Sequence, residues 1–415
     1  MHKYHIWTIG CQMNKAESGR LASLFEKDGL QSTDRAEEAD VIVLNTCVVR
    51  KHAEDRVTNK LHSLKSMKKS NPNLKLAVTG CWVDSNIDQL KKNHPYIDHF
   101  FRAGECPPWQ EPDEWRQALP NNPQVTTYVP IIQGCNNFCA YCVVPYRRGR
   151  EKSRPLSEIF CEVRELVRRG TREVTLLGQN VDSYGYDLPD KPELAGLLTE
   201  LNTIDGLWRI RFLTNHPKDM SGRLIDTIAR LDKVCPAINI PAQAGSNEIL
   251  QLMRRGYTIE QYRRLITEIR DKIPGVALSN DVIVGFPSET EAQFQETVSL
   301  LTDLKFDTVH IAAYSPRPGT IAAREYPDDV PAAEKKRRLQ ALEKLQEDIA
   351  AEINACLLGQ AIEVLVEVKE KGKWYGRTRT DKIVFFSSDN DWLGKLAILE
   401  IERTSPWSLQ GKLRQ

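Results

Sequence analysis

Three cysteines within eight residues, Cys135, Cys139 and Cys142, are the densest chemistry in this chain. A Cys-x3-Cys-x2-Cys run puts three sulfurs on one tight loop, and thiolates are soft ligands suited to iron–sulfur clusters and zinc. Ligand number separates the two. A structural zinc ion takes four closed ligands, usually as two separated pairs, and no fourth Cys or His stands near this run. Three thiolates on a four-iron cluster leave one iron open, able to bind and activate a small molecule. Three more cysteines, Cys11, Cys47 and Cys81, each end an apolar run rich in β-branched residues (4–11, 41–47 and 76–81). One such cysteine reads as a small buried residue; three in equivalent positions read as ligands.

The elements that must position these thiols follow from periodicity. Helical stretches near 15–27 and 53–68 separate the three N-terminal runs, and alternating strand and helix predicts a parallel sheet whose carboxyl ends share one edge. Open α/β sheets bind ligands at that edge. Cys11, Cys47 and Cys81, spaced 36 and 34 residues apart, should therefore converge on a second three-thiolate cluster with an open iron. Residues 104–125 carry Pro107, Pro108, Pro112, Pro120 and Pro123 with Asn121 and Asn122, and read as a linker.

From Thr127 the alternation resumes for about six units, with strands expected at 128–133, 173–177, 209–213, 237–240, 282–284 and 309–313 and helices such as 156–169 and 262–272. Six units fit a partial (β/α) barrel, in which functional groups collect at strand carboxyl ends. The cysteine triplet follows the first of these strands. A helix at 332–354 precedes short alternating strands at 362–368, 382–386 and 396–401, read as a small all-β barrel or sandwich. The expected class is α/β throughout the first two units: a parallel-sheet domain over 1–118, a partial barrel over 119–355, and an all-β domain over 356–415.

Composition bounds the partners. The 415 residues carry 57 Lys plus Arg against 56 Asp plus Glu, so nucleic-acid contact has to come from local basic patches. Ten cysteines are too few for a disulfide scaffold, and their clustering indicates metal chemistry in a reducing compartment. No leader and no long apolar run is evident, so a soluble, cytoplasmic protein with no membrane contact is expected; a monomer is expected separately. Five cations, Arg147, Arg148, Arg150, Lys152 and Arg154, follow the cysteine loop and are placed to meet phosphates. Trp374, Tyr375, Arg377 and Arg379 interleave aromatic and cationic groups, with Trp374, Arg377 and Arg379 the expected RNA contacts. Lys335, Lys336, Arg337 and Arg338 read as an exposed helix face, and Cys106, Cys161, Cys235 and Cys356 have no partner at ligand spacing.

With an aromatic, Tyr141, just before its last cysteine, the triplet resembles the signature of the radical S-adenosylmethionine (SAM) enzymes. Across nearly the whole chain the domain order is similar to that of the methylthiotransferases. Their parts are an N-terminal three-cysteine cluster domain, a radical SAM barrel and an RNA-binding TRAM domain. The phrases Gly10-Cys11-Gln12-Met13-Asn14, Asn45-Thr46-Cys47-Val48-Val49-Arg50, Leu177-Gly178-Gln179-Asn180-Val181 and Met253-Arg254-Arg255-Gly256-Tyr257 resemble the bacterial branch acting on isopentenylated adenosine in tRNA, 3′ to the anticodon. The branches acting on threonylcarbamoyl adenosine or on a ribosomal-protein aspartate share the cluster motifs and rank second.

The resemblance implies two [4Fe-4S] clusters and SAM as cofactors. It further implies cleavage of SAM to a 5′-deoxyadenosyl radical, methylthiolation at C2 of the base, a flavodoxin- or ferredoxin-type electron donor and an unidentified sulfur donor. Candidates for SAM contact are Tyr141 in the loop, Gln179 and Asn180 after the second barrel strand, Thr214 and His216 after the third, and Gln243 after the fourth. Gly285, in the phrase Val284-Gly285-Phe286-Pro287, resembles the family's turn near the adenine.

Overall fold

A computed structural model describes residues 2–48, 51–84, 86–121 and 123–414. Val49 and Arg50, which end the phrase beginning at Asn45, and Asn122 of the proline-rich stretch lie outside the described residues. The first unit is a five-stranded sheet of β1 (Lys3–Thr8), β2 (Gln31–Ser32), β3 (Val41–Thr46), β4 (Lys75–Gly80) and β5 (His99–Phe100), in the order β2-β1-β3-β4-β5. Every pairing is parallel. Alternation along β3 explains the two-sided burial. Ile42 and Leu44 pack with Val57, Leu61 and Leu64 of the helix Lys51–Ser70, whereas Val43 faces Leu21, Leu24 and Phe25 of the helix Gln12–Lys27.

The proline-rich stretch is not a free linker. Pro112 starts a short helix, Pro112–Gln117, that buries Trp115 against the face holding Leu21 and Phe25, with Arg20 over its ring at 5.5 Å. Trp109 stacks on Phe25 and meets Phe101 edge-on. Prolines mark the turns, but the two tryptophans carry enough apolar area to seat the segment on the sheet.

The central unit holds two three-stranded parallel sheets: β6 (Thr126–Pro130), β9 (Glu173–Leu177) and β10 (Arg209–Phe212), then β11 (Ala237–Asn239), β12 (Ala277–Val284) and β13 (Thr308–Ala313). A parallel bridge between Ile210 and Val234 joins the halves into one six-stranded curve. The first expected strand is in fact two. Pro130 has no N–H for the ladder, and the chain turns there. Strand β7 (Ile132–Gln133) then pairs antiparallel with β8 (Lys152–Ser153), so a hairpin base closes the whole cysteine loop. Helices Leu156–Arg168, Glu193–Asn202, Gly222–Arg230, Ile259–Lys272 and Glu291–Leu304 cover the outside. Thr258 and Thr290 start the last two with reciprocal capping boxes.

The helix Ala332–Ala355 leads to a closed barrel of β14 (Ala361–Glu370), β15 (Lys373–Thr378), β16 (Ile383–Phe386), β17 (Leu396–Thr404) and β18 (Leu409–Leu413). The helix face expected to be exposed is half buried. Lys335 reaches Asp328 and the Tyr314 carbonyl, Arg338 bonds Glu289 at 2.7 Å, and only Lys336 and Arg337 stay exposed. Carboxylates brought over by the turn after β12 and the loop after β13 make that burial tolerable.

Candidate active site

The N-terminal thiols meet because the sheet register makes them meet. Thr46 pairs with Gly80, so Cys47 and Cys81 leave adjacent strands side by side, and the Cys81 N–H donates to the Thr46 carbonyl at 2.9 Å. Cys11 follows β1 and caps the helix Gln12–Lys27, whose Asn14 donates to the Thr46 and Ile9 carbonyls and holds Asn45. Close approach needs glycine before two of the three. A Cβ at Gly10 would lie 2.7 Å from the Cys47 Cβ, and one at Gly80 would lie 2.3 Å from the Thr46 oxygen. Burial pushes the Cys81 thiol up to about 11; Arg148 opposes this, and Cys47 and Cys11 add to it.

The barrel loop is fastened at several points. Gly134, at φ +82°, runs within a Cβ's reach of the Arg150 carbonyl, and its N–H donates to Gln179 Oε1 at 2.7 Å. Glu151 accepts from the Asn136 backbone and side chain, while Ala140 donates to the Met253 carbonyl. Arg255, 4% exposed, donates to Cys139 Sγ at 3.3 Å and to the Pro241 carbonyl at 3.0 Å. Burial raises the thiols of Cys135 to about 11 and Cys142 to about 12, and Cys139 raises both further. Two sulfurs, Cys135 and Cys142, that resist ionising on their own fit a group bringing its own positive charge, as iron does. Among the described residues no three Cys, His, Asp or Glu side chains are gathered as tightly as one ion requires.

The strand-end candidates for SAM share the mouth of the barrel with this loop. Asn180 Nδ2 and Asn137 Nδ2 both donate to Asp219, at 2.7 and 3.4 Å. Asn180 Oδ1, Asn215 Oδ1 and His216 Nε2 are buried without a partner. Three open polar valences at the ends of β9 and β10 fit a polar ligand such as SAM. His216 is held neutral, down to about 2, by burial first and then by Arg255 and Lys218. Thr214 and Gln243 both sit at φ +73°, a strained conformation for non-glycine residues. The Thr214 hydroxyl donates to the Gly178 carbonyl, and Gln243 bridges to Val282 through its backbone. Tyr141 packs on the barrel core with its hydroxyl 3.4 Å from Arg255. Gly285 has a local reason to lack a Cβ: the stem of Lys335 would lie 2.4 Å from it. Asp182 was missed by sequence reasoning. It takes the Asn215 amide at 2.5 Å and the His216 N–H at 2.8 Å, and its only sequence signal was its place directly after the phrase Leu177–Val181.

The expected RNA contacts divide. Arg148 is 6% exposed and bound to Glu17 at 2.7 Å, so it cannot grip a phosphate. Arg147 faces Asp84 at 3.2 Å, and Arg154 bonds Glu162 and the Pro130 carbonyl. Arg150, over the Phe138 ring at 4.3 Å, and Lys152 remain exposed. Trp374 is a correction: it lies in the β-barrel core, 5% exposed, with its indole N–H on the Ser388 carbonyl, because alternation turns it inward. Arg379 donates to the Asp232 and Val234 carbonyls across the domain interface, and Arg377 lies 3.1 Å from Asp381.

Residues 3–102 match the Uncharacterized protein family UPF0004, 129–301 the radical SAM superfamily and 357–413 the TRAM domain. The tRNA-2-methylthio-N(6)-dimethylallyladenosine synthase of Dehalococcoides mccartyi (strain CBDB1) is 55% identical over 413 residues, covering 100% of this chain and 99% of its own. The chain belongs to the radical SAM methylthiotransferase family. The synthase of the same name from Roseiflexus sp. (strain RS-1) is 48% identical, over 99% of this chain and 89% of its own. Among solved structures, the radical SAM methyltransferase TsrM of Kitasatospora setae superposes with a TM-score of 0.54 at 12% identity, covering 89% of this chain and 79% of that one. That likeness shows a shared fold. As in radical SAM methylthiotransferases generally, SAM and [4Fe-4S] clusters are the cofactors.

Proposed function

We propose that this chain is a tRNA methylthiotransferase that installs a methylthio group at C2 of N6-isopentenyladenosine 3′ to the anticodon. The reading has Cys135, Cys139 and Cys142 holding one [4Fe-4S] cluster and Cys11, Cys47 and Cys81 another. The three working units span 1–118, 119–355 and 356–415. The supporting observation is one contact: Arg148, six residues after Cys142, places its Nε 3.3 Å from Cys81 Sγ, so the segment that follows the barrel triad lies against a thiol of the N-terminal one. Relatives bearing the synthase name at 44–55% identity support the substrate.

Held by Cys135, Cys139 and Cys142, a four-iron cluster would supply the reductive cleavage of SAM. The protein's own part is positional. Asn180, Asn215 and His216 offer unused polar atoms to the SAM side of the mouth, and neutral His216, whose Nδ1 accepts the Lys218 N–H at 3.2 Å, carries its proton on Nε2 and can donate there without adding charge. Asp182 orients Asn215 and the His216 backbone. Tyr141, Thr214, Gln243 and Gly285 shape the same mouth. Arg150 and Lys152 meet tRNA phosphates beside the loop. A base held between the triads keeps an unactivated C–H and a sulfur source in one pocket, which proximity favours. A flavodoxin- or ferredoxin-type reductant, an unidentified sulfur donor, a monomeric chain and a cytoplasmic location complete the reading. No helix among the described residues is long and apolar enough to cross a membrane.

Anaerobic incubation with SAM, reductant and an isopentenylated anticodon stem-loop tests it by nucleoside mass. The expected product carries the added methylthio mass only when the isopentenyl group is present. Conversion of a threonylcarbamoylated stem-loop, with the isopentenylated one untouched, would overturn the substrate assignment.

A further inference from the structure

The cation following the barrel loop does something the phosphate reading left out. Arg148 ends the short helix Val144–Arg148, which begins two residues after Cys142. Its guanidinium is almost completely enclosed, its side chain 2% exposed. Each part of the fork has its own target: Nε on Cys81 Sγ at 3.3 Å, one terminal nitrogen on Glu17 Oε1 at 2.7 Å, the other on Asn14 Oδ1 at 3.1 Å. Glu17 and Asn14 are one turn apart on the helix that starts after Cys11, and Asn14 Oδ1 also lies 3.5 Å from Cys11 Sγ. A barrel residue is thus enclosed against the Cys81 thiol of the other domain and one residue away from that of Cys11. Arg255 stands in the same relation to Cys139 of the barrel triad, also at 3.3 Å.

We infer that Arg148 is a positioning residue for the N-terminal triad: it draws the helix after Cys11 and the Cys81 sulfur onto the barrel loop and sets the reduction potential of the cluster held there. The inference rests on the assignment of Cys11, Cys47 and Cys81 as cluster ligands. Its physical basis is general. Reduction adds negative charge that spreads onto the ligand sulfurs, and a donated N–H with a nearby positive charge stabilises that state. Burial keeps solvent from screening the effect, and Glu17 holds the guanidinium in place without touching the sulfur. Removing the fork should make the cluster harder to reduce. Lysine keeps the charge but cannot serve Cys81, Glu17 and Asn14 together, so it should fall between.

The test uses full-length chain in which Cys135, Cys139 and Cys142 are replaced by Ala, leaving the N-terminal cluster as the one observed. Arg148→Met and Arg148→Lys are made in that background, reconstituted anaerobically, and titrated with reductant while the reduced cluster is followed by electron paramagnetic resonance. Iron content reports the ligand assignment separately: if the parent with Arg148 intact binds no iron, the cluster reading itself fails. Given iron, Arg148→Met should lower the reduced-to-oxidised ratio at fixed potential about tenfold, about 59 mV for one electron, with Arg148→Lys intermediate. If Arg148→Met does not fold, a lowered ratio in Arg148→Lys supports the inference. Ratios equal to the parent's in every folded variant would overturn it and leave Arg148 a domain bolt only.

Discussion

Asp182 lies 3% exposed at the barrel mouth, its carboxyl pushed up to about 7 by burial first, with the Asp219 charge adding to the rise. Hydrogen bonds from the His216 N–H and the Asn215 amide only partly offset this. The folded chain therefore keeps a proton that the unfolded chain loses from about pH 4 upward. This contribution to stability is complete below that pH and declines as pH rises to about 7, at a slope of up to about 1.4 kcal/mol per unit. Anaerobic urea titrations of the full chain should show it as a falling midpoint between pH 5.5 and 7. Asp182→Asn, which cannot ionise, should flatten that part of the slope. An unchanged slope in the variant would show that the carboxyl does not titrate there. Within a run of five cations, sequence could not separate the one enclosed by Glu17, Asn14 and Cys81 from exposed Arg150 and Lys152, because its partners lie more than sixty residues away.

At the scale of elements, three glycines precede three of the candidate ligand cysteines: Gly80 and Gly134 where two backbones crowd together, and Gly10 where the Cys47 and Asn14 side chains crowd in. Gly80, at φ +95°, is the tightest of the N-terminal pair, with Thr46 backbone atoms 2.3 and 2.5 Å from where a Cβ would stand. Gly80→Ala should push β4 away from β3 at the point where Cys47 and Cys81 leave the sheet. Backbone strain and overpacking together should cost about 2–4 kcal/mol. About half the iron should be lost with it, read by thermal unfolding and iron analysis; full iron at unchanged stability would contradict this account. The strand-end cysteines were legible because apolar runs and turn signals flank them. The rest was hidden for physical reasons. Strands β15 and β18 carry glycines and charges that blur their alternation, and Trp115 among prolines gave a linker signal while its ring joined the core. Lys335 and Arg338 looked exposed because Asp328 and Glu289, their partners, approach only after folding.

Over the whole molecule, charged side chains tie the three units together. Arg317 reaches Glu54, Arg20 reaches Glu162, and Arg209 and Arg211 extend from β10 to the C-terminal barrel. Arg211 bonds buried Glu173 at 2.9 Å and the carbonyls of Thr378 and Arg379 at 2.7 and 3.1 Å. Arg211→Ala leaves Glu173 with Arg209 at 3.9 Å, a loss of about 3–5 kcal/mol. Limited proteolysis should then release a fragment near 356–415, which the parent resists. In the proposed mechanism the two triads divide the labour, and anaerobic iron and product analysis of two triple variants separates their parts. With Cys11, Cys47 and Cys81 replaced by Ala, the chain should keep about four of about eight irons, still release 5′-deoxyadenosine from SAM, and form no methylthiolated base. With Cys135, Cys139 and Cys142 replaced, it should again keep about four irons but release no 5′-deoxyadenosine. Undiminished iron in the first variant, or methylthiolated product from it, would contradict the account.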